Sequence, residues 1–126
     1  MTLLDDFLDA HAHEPELKAQ LLEMARTGLA EHQERLRALF EESVPHAEVS
    51  DEFFRVAKTG AHKLANFFSA LRREDMTRLA NELESAAHAR DERACREAWS
   101  RLDPEIGRLR EAVESAGADS TGEQSV

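Results

Sequence analysis

The 126-residue chain has no tyrosine, one cysteine, three prolines and five glycines. Each shortage excludes something. A single cysteine, Cys95, leaves no intramolecular disulfide and no cysteine-based zinc site. No apolar run approaches the roughly 20 residues that a membrane-spanning helix needs. Little β-branched material is available for strands. Cations are short as well: 16 Lys and Arg stand against 26 Asp and Glu, a net charge of −10. That balance speaks against nucleic acid and against anionic membrane surfaces, both of which bind proteins largely through cations. Asp5 and Asp6 stand where a secretory signal would carry positive charge, so the expected location is the cytoplasm.

Ala, Leu, Glu and Arg fill the chain instead, and they favour helix nearly everywhere. A short first helix is predicted from Leu3, Leu4, Phe7 and Leu8, with Thr2 as its cap. Pro15 suits the first turn of a second helix. The stripe Leu17, Leu21, Leu22, Ala25, Leu29, Leu36, Leu39 and Phe40 carries that helix to about Glu42 with a period near 3.6. Ser43-Val44-Pro45 breaks the pattern, and a loop is expected as far as Val49. Ser50 then caps a third helix, with Asp51 and Glu52 in its first turn. A fourth follows on Met76, Leu79, Ala80, Leu83, Ala86 and Ala87. A fifth begins near Asp91 and buries Cys95, Ala98, Trp99 and Leu102. Asp103-Pro104-Glu105 predicts a kink or restart before Ile106, Leu109 and Val113. The fold expected is all-α: an antiparallel four-helix bundle with a short additional N-terminal helix over residues 1–115, and a disordered tail over 116–126.

Charge and periodicity single out His62. On a helical wheel at about 100° per residue, Phe53, Ala57, Gly60, Leu64, Phe67, Phe68 and Leu71 fall on one side of the third helix. His62 points almost directly away from them. Arg55, Lys58, Thr59, Ala65, Asn66, Ser69 and Arg73 lie around it, within roughly 60°. Between residues 51 and 73 the cations Arg55, Lys58, Lys63, Arg72 and Arg73 outnumber Asp51 and Glu52, reversing the sign of the whole chain. An accessible imidazole among cations suits an incoming anionic group. Without further context, a solvent-facing histidine amid solvated charges is the plain alternative.

Ala61-His62-Lys63-Leu64 and the residues after it resemble the Ala-His-x-Leu-Lys-Gly signature of histidine-containing phosphotransfer (HPt) domains. Leu71, Leu79 and Leu83-Glu84 continue the similarity in register, and Pro15-Glu16-Leu17 opens a long helix as such domains do. The likeness spans roughly Leu3 to Ser115. Three positions depart from it: the family's Lys is Ala65, its Gly is Asn66, and a later Gly is Arg72. Lys58, one turn before His62, could supply the charge that Ala65 lacks.

The resemblance implies a phosphocarrier in a two-component phosphorelay. His62 would accept a phosphoryl group from a receiver-domain aspartate and pass it to another. Arg55, Lys58, Thr59, Lys63, Ala65, Asn66, Ser69 and Arg73 would contact phosphate or receiver. The partners implied are response-regulator receiver domains and, indirectly, a histidine or hybrid kinase, acting on a monomer. The receiver would bring Mg²⁺, and this chain would bind no cofactor. No Gly-rich or Walker-type loop provides for autokinase activity. The competing reading is an HPt-like module that binds a receiver, or another partner, without accepting phosphate.

The remaining motifs read as structure. His11, His13 and Glu14 lack the spacing of a metal cluster and read as a helix end. His32 interrupts the apolar stripe of the second helix and reads as a packed histidine with its nitrogen satisfied. His46 and His88 carry no spacing signal. Phe53, Phe54, Phe67, Phe68 and Trp99 read as core, with any exposed part of Phe54 a docking contact. Cys95 reads as a small buried residue.

Overall fold

The computed structural model describes residues 4–42 and 50–124, with side chains described to residue 117. Five helices follow one another: α1 (Asp5–Ala10), α2 (Pro15–Glu42), α3 (Asp51–Ala70), α4 (Glu74–His88) and α5 (Glu92–Gln124). No strand occurs among the described residues. α2 packs on α3 and α5, and α4 packs on the same two helices. That closed ring of neighbours is an antiparallel four-helix bundle. α1 adds the fully buried Phe7, and Leu4 just before it is buried as well. Its Asp6 and Asp9 border the same polar depression as Ser69, Arg72 and Arg73, which places α1 beside the α3–α4 turn.

Local chemistry sets the helix ends. The Ser50 hydroxyl accepts the Phe53 N–H at 3.3 Å and caps α3. Asp91 Oδ1 accepts the Ala94 N–H at 3.0 Å at the start of α5. The C-termini of α3 and α4 close alike. The Arg73 N–H reaches back to the Phe68 carbonyl and the Arg72 N–H to that of Ser69. Asp91 and Arg90 repeat the pattern onto Ala86 and Ala87. Both are Schellman turns, with Arg72 at φ 59° and Arg90 at φ 58° in the left-handed position where glycine is usual.

The core runs the length of the bundle, from Phe7 through Leu29, Leu64, Leu83 and Ile106. Near the α3 N-terminus the Phe40 ring stacks on Trp99 at 5.5 Å and meets the Phe53 edge at 5.3 Å. The Arg96 guanidinium lies over both phenylalanine rings. One polar cluster is built between α2 and α5. The buried Gln33 donates to Asp103 Oδ1 at 2.8 Å and to the Asp103 carbonyl at 3.2 Å. Its own carbonyl oxygen accepts from Arg110 at 2.7 Å, and Arg37 donates to Asp103 Oδ1 at 2.8 Å.

That cluster sits at Pro104, where a kink or restart is predicted. α5 continues through Pro104 as one helix without a restart, and its described span reaches Gln124. Arg37 and Gln33 hold the chain at Asp103, just before the proline, from outside the helix. The Thr2 cap, the 43–49 loop and His46 lie outside the described residues.

Candidate functional site

α3 presents its apolar stripe to the bundle, burying Phe53, Ala57, Gly60, Ala61, Leu64 and Phe68. His62, near the middle of the helix, is therefore turned outward, and its side chain is 63% exposed. α4 supplies the residue that meets it. Leu83 is fully buried against the core, so the next residue, Glu84, stands at the edge of the helix interface with its carboxylate half-buried. Glu84 Oε2 lies 3.3 Å from His62 Nδ1. An ionised carboxylate can only accept, so it favours the imidazole tautomer with the proton on Nδ1. Nε2 is then the ring nitrogen that keeps its lone pair.

A second rung lies one turn along. Lys58 Nζ is 3.1 Å from His88 Nδ1, and His88 follows Glu84 by four residues as Lys58 precedes His62 by four. The antiparallel helices thus join His62 to Glu84 and Lys58 to His88. Sequence reasoning missed both α4 residues. For Glu84 a signal existed, the Leu83-Glu84 pair; for His88 there was none.

The other predicted contacts divide. Thr59, Lys63 and Asn66 are exposed on the surface around His62. Arg55 is exposed but engaged with Glu52, to which its Nε donates at 2.9 Å, and its position lies about 10 Å along the helix from that of His62. Arg73 falls beyond the end of α3 and bonds Asp75 at 2.9 Å. Ser69 shares the polar depression with Arg72, Arg73 and the α1 carboxylates, so Ser69 and Arg73 belong to a different surface from His62. Ala65 is buried at 7% exposure, packed among the core residues, and offers nothing to a phosphate. Phe54 is buried too, which removes it as a docking contact.

On the α2 side of α3 lies a groove of about 430 Å³. Phe67, expected in the core, is half-buried and lines it. Its ring lies against Gly28, where a Cβ would stand 2.1 Å from Phe67 Cζ. Leu21 also lines the groove, Met24 is 61% exposed there, and Leu17 remains exposed further along α2. His32 lines it as well. Burial of His32 is as expected, and its Nδ1 has no hydrogen-bond partner. Removal from water holds its pKa below the ordinary value, chiefly through desolvation; Glu31 opposes the shift, and Lys63 and Arg35 add to it.

Elsewhere the chemistry is quiet. Burial pushes the Cys95 thiol up to about 11, so it stays protonated and poorly nucleophilic at neutral pH. Among the described residues, no group of three or more His, Cys, Asp or Glu side chains is placed to hold a metal ion, and no helix is long and apolar enough to cross a membrane. No family model, curated protein or solved structure matches this chain.

Proposed function

We propose that this chain is a histidine phosphotransfer protein of a phosphorelay, with His62 as the phosphoryl acceptor. The observation that carries the reading is the exposed imidazole of His62 with its Nδ1 against Glu84, on a face that also holds Lys58 and Lys63. In the reaction, Nε2 attacks the phosphorus of a receiver's aspartyl phosphate. The new P–N bond forms as the P–O bond to aspartate breaks, and the aspartate departs as a carboxylate. Positive charge grows on the ring during attack, and Glu84 at Nδ1 offsets it. Lys58 and Lys63 are the nearest candidates to hold the phosphoryl oxygens. The divalent cation of such chemistry belongs to the receiver, and a kinase acts only through that receiver. The reverse step delivers the group to a second aspartate.

The test is incubation of the chain with phosphorylated receivers, followed by analysis of the label. Acid-labile, base-stable phosphate is expected on the wild type. His62→Gln should take none, with stability changed by no more than about 0.5 kcal/mol, since the side chain is exposed. A labelled Gln variant would reassign the acceptor. A non-catalytic receiver-binding module is the second reading, favoured by Ala65, a buried alanine where the HPt signature carries its lysine. Receiver binding without label on any residue would decide for it.

A further inference from the structure

We infer that the groove between α2 and α3 is a binding site for a small amphipathic carboxylate of the medium-chain acyl type. The groove exists because Gly28 lets the Phe67 ring lie across α2 instead of entering the core. Gly28 and Phe67 also fix which residues face each other on the antiparallel helices. On one side of that contact His32 comes level with Lys63 and Asn66; on the other, Leu21 and Met24 come level with Ala70 and Leu71. The groove is therefore graded, polar at the end next to His62 and apolar at the far end. From Lys63 to Leu71 it follows about 12 Å of helix, enough for a medium-length acyl chain.

Charge selects the head group. Lys63 is the fixed charge among the lining residues, and no carboxylate lines the groove, although the chain carries 26 acids. His32, more than nine-tenths buried with its Nδ1 unpartnered, makes this the polar end of the groove together with Lys63 and Asn66. A carboxylate at Lys63 and Asn66 meets the charge, and its chain on Phe67, Leu21 and Leu71 meets the apolar lining. The volume of about 430 Å³ falls in the range of small-molecule sites. Met24 at the apolar end is a side chain that adapts readily to varied occupants.

Occupancy would cover the surface beside Asn66, one turn from His62, so the ligand would hinder an approaching receiver. This consequence, unlike the binding itself, rests on the phosphotransfer reading.

The experiment titrates the full chain with decanoate, decanol and decylammonium, following backbone amide shifts. Decanoate should shift Leu21, Met24, His32 and Phe67 with a Kd on the order of 0.1–1 mM. Decanol should bind about fivefold more weakly, and decylammonium more weakly still. Lys63→Glu should weaken decanoate at least about tenfold and leave decanol within about twofold. Ala70→Trp, an exposed substitution at the apolar end, should weaken both. Equal binding of the three probes, or shifts confined to other surfaces, would overturn the site. Saturating decanoate should slow phosphotransfer at least about fivefold. Unslowed transfer with the groove filled would overturn the regulatory consequence. If no receiver phosphorylates the chain at all, phosphotransfer fails while the binding result stands on its own.

Discussion

Arg72→Gly should raise the stability of the chain, and the Schellman turn that ends α3 sets the size of the gain. Arg72 sits at φ 59°, where its Cβ crowds the following carbonyl. An L-residue in that region costs roughly 1–2 kcal/mol. Glycine removes that cost but returns about 0.4–1 kcal/mol through the greater freedom of the unfolded chain. The exposed Arg72 side chain gives up little else. A net gain of about 0.5–1 kcal/mol follows, which for a domain of this size raises Tm by about 2–6 °C. Urea and thermal unfolding followed by far-ultraviolet circular dichroism would measure it. Two companions make the reasoning specific. Arg72→Ala keeps a Cβ in the same conformation and should change stability by less than about 0.5 kcal/mol. Arg90→Gly relieves the same strain at φ 58° but loses the Arg90–Asp51 pair at 2.5 Å, so its gain should be smaller. A destabilised Arg72→Gly, or an Ala variant as stable as the Gly one, would refute the argument from backbone strain.

Glu84→Ala should slow phosphoryl acceptance about tenfold, the lower end of the scale for losing one contact to a charged group. Nitrogen-shift measurements should show His62 losing its Nδ1–H preference; an unchanged rate with an unchanged tautomer would sink the assignment. His32 has a folded pKa below its ordinary 6.5. Its contribution to stability is therefore present above 6.5 and lost as pH falls towards the folded value, because the unfolded chain takes up the proton first. His32→Leu should lose less stability than wild type between pH 7.5 and pH 5, both set by urea midpoints, and equal losses would contradict it. Cys95 runs the other way. Its folded pKa of about 11 exceeds the ordinary 9.0, so its contribution is intact below pH 9 and disappears as pH rises towards 11. The integrated loss is on the order of 2–3 kcal/mol, and the stability difference between wild type and Cys95→Ala should shrink by that much over the interval.

The helical class and the outward position of His62 were legible because both follow from a single helix's own geometry. An apolar stripe at 3.6-residue spacing says which way α3 faces whatever its partners are. Glu84 and His88 were not legible in this way, since pairing across helices depends on how far α4 is displaced along α3. The wheel also grouped Ser69 and Arg73 with His62 by angle alone. Distance along the axis, and the end of α3 at Ala70, separate them. Ala65 failed for a related reason: two neighbours, α2 and α4, bury more of α3 than one stripe suggests. Phe67 shows the limit of hydrophobicity as a guide. Its direction was read from α3, but its exposure is decided by Gly28 on α2. Pro104 pointed to a kink or restart from its own ring, and the groups that hold Asp103 where α5 continues without a restart come from α2.

Gln33 and Asp103 have a consequence for alternative packings. Stripes of leucine and alanine on antiparallel helices fit one another almost as well after sliding by a turn, about 5.4 Å, because one apolar side chain replaces another at modest cost. A slide between α2 and α5 would separate the Gln33 amide from Asp103 and Arg110 and leave polar groups of a buried side chain without partners. Each such orphan costs on the order of 1–3 kcal/mol. The amide therefore acts as a key that fits one alignment, in a core whose leucines would accept several. Gln33→Leu should accordingly give a bundle whose helices still associate but sample more than one offset, visible as multiplied or broadened methyl signals along α2 and α5.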